Sequence, residues 1–209
     1  MKHPIKIAIT GKIASGKSTI SEIVKKLGFS VFESDKEVNK LFREQVVKIK
    51  IKDLFFDKVD NLIKKDGSIN KALLGDYVFL KEEELKNLEN LIHPLLNKRK
   101  QKFIDSNKNK KILFFDIPLL FEKKLFNEYN FIIYLHVKKK IQEERALKRK
   151  KMNKDKFEKI LRTQNYNLKE FNQFISLKID TSKDLDQIEK KLRFFIKKKS
   201  SMLMTHLKF

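Results

Sequence analysis

The sequence predicts an α/β protein: an open, doubly wound parallel sheet carrying a helical insertion and a helical lid. Three observations carry that expectation. Short apolar runs at residues 5–9, 112–115 and 131–135 are bounded by charged segments, as expected of strands buried on both faces of a parallel sheet. Segments with apolar residues at helical spacing alternate with these runs. The first run also passes through a glycine-bearing loop directly into a helical segment. Right-handed crossovers then place any ligand site at the carboxyl ends of the strands.

Taken in order, residues 5–9 form the first strand, ending at Thr10-Gly11, and residues 18–27 form a helix that Gly28 stops. Residues 29–32 make a second strand running into Glu33-Ser34-Asp35, after which Val38, Leu41 and Phe42 begin a helical face. From about residue 60 to 109 the pattern is helical and polar, which reads as an insertion. Within it Asp66-Gly67 makes a turn, Leu85, Leu88, Leu91 and Ile92 line one face, and Pro94 is expected to break the helix. Strands return at residues 112–116 and 131–135, followed by a basic helical stretch whose lid portion spans about 142–168. A last strand at 175–179 precedes an amphipathic helix bearing Leu185, Ile188 and Leu192, and residues 197–209 read as a frayed basic tail. One domain is expected, with its core at about 1–59 and 110–196.

The 209 residues include 49 Lys+Arg against 27 Asp+Glu, a formal charge of +22. With 41% hydrophobic residues and 18 Phe, the composition excludes a disordered polyelectrolyte. Zero cysteine excludes disulfides, thiolate metal sites and cysteine nucleophiles, and suits a reducing compartment. The longest apolar runs, 112–115 and 118–121, fall far short of a bilayer span, so a soluble, cytoplasmic protein with no membrane partner is expected. The 43 Lys and only 6 Arg are scattered through nearly every segment with 14 Asn, which reads as solvated faces and predicts no specific nucleic-acid partner. A monomer or weak homo-oligomer is expected.

Residues 11–18, Gly11-Lys12-Ile13-Ala14-Ser15-Gly16-Lys17-Ser18, match G-x-x-x-x-G-K-[ST], and Thr19 follows. The loop lies between an apolar strand and a helix, where a P-loop must lie. Gly11 and Gly16 let backbone wrap a phosphate, N–H groups at the helix start bind the anion, Lys17 reaches the β and γ phosphates, and Ser18 holds Mg²⁺. A nucleoside triphosphate and Mg²⁺ are therefore expected, with Gly11, Ala14, Ser15, Gly16, Lys17, Ser18 and Thr19 forming the nucleotide site. The sheet is thus expected to be of the P-loop NTPase type.

No glycine has an Asp three positions earlier, and no N-K-x-D or T-K-x-D occurs, which counts against a GTPase. Asp116 ends an apolar strand and suits the metal shell, but Ile117-Pro118 follow it rather than a water-activating Glu. That favours transfer to a substrate hydroxyl over hydrolysis. A kinase needs an acceptor base, and Asp35, just beyond the second strand, is a candidate; on spacing alone Asp35 or Ser34 serves equally well as a helix cap.

The blocks at 10–19, Glu33-Ser34-Asp35, Leu91-Ile92-His93-Pro94-Leu95, Asp116-Ile117-Pro118-Leu119-Leu120-Phe121-Glu122, and 142–149 followed by Gln164 resemble bacterial dephospho-coenzyme A kinases in order and spacing, over about residues 5–195. The P-loop is widely shared, whereas the H-P-L and P-L-L-F-E blocks are specific in combination. The resemblance implies ATP-dependent phosphorylation of the ribose 3′-hydroxyl of dephospho-coenzyme A, the last step of coenzyme A synthesis. It implies Asp35 as base, and Arg145 and Arg149 as lid and active-site arginines acting with Lys17 on the transferring phosphoryl group. It places His93, Leu120, Glu122 and Arg162 toward substrate binding, although His93 also reads as a structural hydrogen bonder and Glu122 as a helix cap.

Three departures stand out. Lys12 and Ala14 replace two glycines of the usual G-G-I-G-S-G-K-S loop, Glu33 replaces the first carboxylate of a common D-x-D, and Asp180-Thr181-Ser182-Lys183 replaces a D-N-x-G segment near the adenine. The rivals are a nucleoside or nucleotide kinase on the same scaffold, and a basic nucleic-acid-binding protein that uses the loop as a switch.

Overall fold

A computed structural model describes residues 4–150 and 152–205. Its strands are β1 (Ile5–Thr10), β2 (Ser30–Glu33), β3 (Ile112–Asp116), β4 (Phe131–His136) and β5 (Leu177–Asp180). The helices are α1 (Lys17–Lys26), α2 (Ser34–Leu41), α3 (Gln45–Phe55), α4 (Lys71–Val78), α5 (Glu82–Ser106), α6 (Lys139–Leu147), α7 (Lys154–Thr163), α8 (Leu168–Phe171) and α9 (Leu185–Thr205). The chain divides into two compact units, one of Met1–Glu33 with Asn107–Phe209 and one of Ser34–Ser106.

In the first unit all five strands are parallel, in the order β2-β3-β1-β4-β5. Ile7, Ala8 and Ile9 of the central strand are wholly buried, as residues sandwiched between two helical layers must be. The register aligns the carboxyl ends: Ile9 pairs with Asp116, and Asp116 with Glu33. The core joins Ile7, Ile9, Phe114, Ile133 and Leu135 of the sheet to Ile20 and Val24 of α1 and Leu192 of α9.

α1 ends as its sequence requires. Gly28 adopts φ 87°, its N–H donates to Lys25 O at 2.8 Å, and Phe29 N–H donates to Val24 O at 3.2 Å, the paired bonds of a Schellman cap. The chain then turns straight into β2. The strands near β2 and β5 differ slightly from expectation, starting at Ser30 and Leu177 rather than at 29 and 175.

The second unit is helical and begins at Ser34, where the sequence pattern placed its start near residue 60. The reason is packing. Leu41, Phe42, Val47, Ile51 and Phe55 of the α2–α3 stretch share one core with Leu62, Ile69, Leu74, Val78 and Ile92. Pro94 does not break α5, which runs unbroken for 25 residues. Proline deprives the carbonyl of Asn90 of its helical donor, but Asn90 and Pro94 both face solvent, where water can supply that bond. Leu88 and Leu91 before the proline and Leu95 and Leu96 after it pack on the same core, which holds the helix together across the defect.

The tail expected from residue 197 is instead helical, as α9 continues to Thr205; residues 206–209 lie outside the described residues. Among the described residues no helix is long and apolar enough to cross a membrane.

Candidate active site

The loop after β1 is built around positions that tolerate little change. Gly11 has φ 151°, and a Cβ there would lie 2.4 Å from Leu135 O and 2.7 Å from Ser15 Oγ, so only glycine fits beside β4. Gly16, at φ 90°, precedes α1 with no side-chain cap, which leaves the first N–H groups of the helix for an anion. Ala14 also takes a left-handed conformation, at φ 57°.

Lys17 opens α1, and its ammonium donates to Gly11 O at 2.6 Å and Lys12 O at 3.1 Å, which holds the cation inside the curl of the loop. Ser18 and Thr19 follow, exposed on the first turn of the helix. Asp116, at the end of β3, accepts a hydrogen bond from Ser21 Oγ at 3.3 Å. Ser21 is one helical turn beyond Ser18, so the carboxylate lies against the start of the helix that carries the hydroxyl.

A cleft of about 360 Å³ opens at this helix start, lined by Ala14, Gly16, Ser18, Thr19, Arg145, Arg149 and Thr181 among others. Arg145 is fixed at its rim by a two-point bond: Nη1 donates to Thr181 Oγ1 at 2.9 Å and Nη2 to Thr181 O at 2.8 Å. Thr181 N–H donates in turn to His136 O at 2.9 Å, so α6, β4 and the loop after β5 are tied together. Arg149 is exposed beyond the end of α6. The segment at about 142–168, expected as a lid, contains most of α6 and all of α7.

Beside Lys12 of the loop lies an aromatic group. Phe121 packs against Tyr134, Tyr166 and Phe171, with centroids 6.1, 5.3 and 4.6 Å away, and the Lys12 ammonium sits 5.4 Å from the centre of the Tyr166 ring. Glu122 follows Phe121 in this setting. Burial raises its carboxyl above the usual range, against the lowering effect of nearby N–H groups and the charges of Lys17 and Lys12, and its Oε1 is buried with no hydrogen-bond partner among the described residues. Burial also raises the Tyr166 and Tyr134 phenols, which share a hydrogen bond.

The sequence profile of the dephospho-CoA kinase family matches residues 5–174 of this chain. The chain belongs to the dephospho-CoA kinase family. A dephospho-CoA kinase from Bartonella quintana is 38% identical over 153 residues, covering 72% of this chain and 76% of the relative. A solved dephospho-CoA kinase from Campylobacter jejuni superposes with a TM-score of 0.67 at 27% identity, over 94% of this chain and 97% of the other. A solved Thermus thermophilus protein reaches a TM-score of 0.78 at 25% identity, over 94% and 98%.

The residues that sequence reasoning assigned within this dephospho-CoA kinase fold are distributed as follows. Gly11, Ala14, Ser15, Gly16, Lys17, Ser18 and Thr19 form one loop and helix start, and Ala14, Gly16, Ser18 and Thr19 share a cleft with Arg145 and Arg149. Ser15 is buried, with its Oγ lacking a hydrogen-bond partner among the described residues. Asp35 is exposed in the first turn of α2, two residues past β2. Glu33 takes a different role from Asp35: it forms an ion pair with Lys25, which also binds Glu22 at 2.8 Å.

His93 is exposed on α5, and Arg162 is exposed near the end of α7. Leu120 is wholly buried, whereas Leu119 is the exposed member of the pair. Sequence reasoning missed the part played by Thr181, which it flagged only as a departure from the adenine segment. It named Gln142 and Gln164 in the family-like blocks, but did not foresee that both are buried amides bonded to the phosphate loop. A polar residue at helical spacing among apolar neighbours, as Gln142 is beside Ile141 and Ala146, was the available signal.

Proposed function

We propose that this protein transfers the γ-phosphoryl group of ATP to the ribose 3′-hydroxyl of dephospho-coenzyme A, giving coenzyme A in the last step of its synthesis. The observation that carries the reading is the convergence, in one cleft, of the phosphate-loop helix start with Arg145 and Arg149. A nucleotide polyphosphate meets N–H dipoles on one side and guanidinium groups on the other.

The residues present also fit Mg²⁺. Among the described residues no group of three or more acidic or histidine side chains could hold a metal, but Mg²⁺ keeps several waters and needs only one or two protein ligands beside phosphate oxygens. Ser18 Oγ and the Asp116 carboxylate, held at the same helix start, would supply them. Bound there, the ion would neutralise charge on the β and γ phosphates.

The chain's own groups do the rest. Lys17, held by two carbonyls, keeps a further ammonium hydrogen for the phosphate oxygens. Arg145 and Arg149 stabilise charge that develops on the transferring group. Asp35 takes the proton of the attacking ribose hydroxyl as the new P–O bond forms and ADP leaves. His93, Glu122 and Arg162 are assigned to the acceptor side, with Leu120 supporting Leu119 from below.

The test is ADP release with ATP and Mg²⁺ against a panel of dephospho-coenzyme A, adenosine and AMP, with products identified by mass. Coenzyme A formation selective for the first acceptor is expected. Comparable turnover of adenosine or AMP would overturn the acceptor assignment in favour of a nucleoside or nucleotide kinase.

A further inference from the structure

Ile13, in the middle of the phosphate loop, has both of its backbone polar groups bound by buried lid side chains. Its N–H donates to Gln164 Oε1 at 2.7 Å, and its carbonyl accepts from Gln142 Nε2 at 2.6 Å. Gln142 and Gln164 are 7% and 5% exposed, so neither bond can readily be replaced by water. The Ile13 side chain is anchored as well, packed with Ala14 against Ala146 of α6 and Phe157 of α7.

Peptide geometry turns these two bonds into orientations. In a trans peptide the C=O and the following N–H point in opposite directions. Gln164 holds the Ile13 N–H on the lid side, so the Lys12 carbonyl points the other way, where it accepts from Lys17 Nζ at 3.1 Å and Ser15 N–H at 3.2 Å. Gln142 holds the Ile13 carbonyl on the lid side, so the Ala14 N–H points away from it, at a residue that lines the nucleotide cleft. The same peptide sets the left-handed φ of Ala14, 57°, which a residue with a Cβ resists.

We propose that Gln142 and Gln164 are positioning residues that impose the phosphate-binding shape of the loop from the lid, Gln142 by turning the Ala14 N–H toward the bound phosphates and Gln164 by turning the Lys12 carbonyl toward Lys17. The inference rests on the reading of this loop as the ATP site. It explains how an alanine serves at a left-handed position: the Gln142 bond holds a peptide that would otherwise rotate to relieve Ala14. It also makes the loop and the lid one mechanical piece, since α6 supplies Gln142 and the residue capping α7 is Gln164.

The test measures ATP dissociation constants by calorimetry, with melting temperature and kinetics, for the full chain and for Gln142→Met, Gln164→Met, Ala14→Gly and Gln142→Met combined with Ala14→Gly. Asn153→Ala is the control, because it removes only the side-chain cap on Lys156 N–H at the start of α7. Each glutamine variant is expected to weaken ATP by tenfold or more while the KM of the acceptor stays within twofold. Glycine at position 14 is expected to recover most of the Gln142→Met loss, because it removes the strain that turns the peptide. Asn153→Ala is expected to lower the melting temperature and leave ATP affinity intact.

Folded glutamine variants that bind ATP within twofold of the parent would overturn the proposal. So would a Gln142→Met loss that Ala14→Gly does not recover, or an equal loss in Asn153→Ala, either of which marks a merely structural role. A parent protein that binds no ATP would overturn the nucleotide-site reading itself, an outcome distinct from all of these.

Discussion

The guanidinium of Arg145 grips Thr181 at two points, hydroxyl and carbonyl, which fixes a cation of α6 to the loop that follows the last strand. The fork geometry is specific to arginine. Arg145→Lys should therefore keep the charge and lose the position, lowering kcat/KM for ATP by about 10–100-fold, as expected for one lost charge-assisted contact. Thr181→Val leaves the carbonyl contact in place and should cost less. Equal kinetics for Arg145→Lys and the parent would refute the positional role.

Gly11 lies against the backbone of β4 at Leu135 as well as the Ser15 hydroxyl, so the strand would have to shift to admit a methyl group. Gly11→Ala is expected to destabilise the fold by about 1–3 kcal/mol and to weaken ATP binding with it. Chemical denaturation read beside nucleotide titration checks both. A variant with parental stability would mean that the loop has room to move away from Leu135.

Asp35 is assigned to proton acceptance and not to nucleotide binding. Asp35→Asn is isosteric and should lower turnover by about 10²–10⁴-fold while the ATP dissociation constant stays unchanged. Full turnover in this variant would leave Asp35 as a helix-start residue only.

Glu122 gives a pH-dependent prediction. Burial raises its carboxyl above 4.5, so the folded state holds the proton more tightly than the unfolded chain. Its contribution to stability therefore falls as pH rises from 4.5 toward the raised value, and the deficit is constant above it. Glu122→Gln should raise the melting temperature at neutral pH and leave it unchanged well below 4.5. A lower melting temperature at neutral pH would show that attraction to Lys17 and Lys12 outweighs the cost of burial.

The parts of this fold that were legible in the sequence are those specified locally. The phosphate loop is recognisable from residues 11–18 alone, and the strands of a buried parallel sheet announce themselves as short apolar runs. Asp116 was legible because its apolar strand ends in a single carboxylate. What stayed hidden depends on long-range contact. Gln142 and Gln164 meet Ile13 across 129 and 151 residues, and no local pattern encodes that. Thr181 looked like the loss of a family residue, yet its hydroxyl and carbonyl make it the partner of Arg145. Pro94 misled because the carbonyl it frees, that of exposed Asn90, can bond to water, and leucines on both sides of the proline pack on one core. The early start of the helical unit was missed because charged residues interrupt Val47, Ile51 and Phe55, and only their shared core shows that they belong with Leu74 and Ile92.

The parallel sheet has a quiet end as well as a working one. The strands begin at Ile5, Ser30, Ile112, Phe131 and Leu177, and no residue assigned to catalysis or binding lies among these starts. The turn before β3 closes there, with Lys110 N–H donating to Asn107 O and Lys111 O receiving Ile5 N–H. The length of β1 separates this turn from Gly11 by roughly 20 Å. Because the chain contains no cysteine, Lys110→Cys would create its sole thiol at an exposed position. A fluorophore or a surface tether attached there would leave the phosphate loop untouched and give a fixed reference point from which movement of α6 and α7 can be followed.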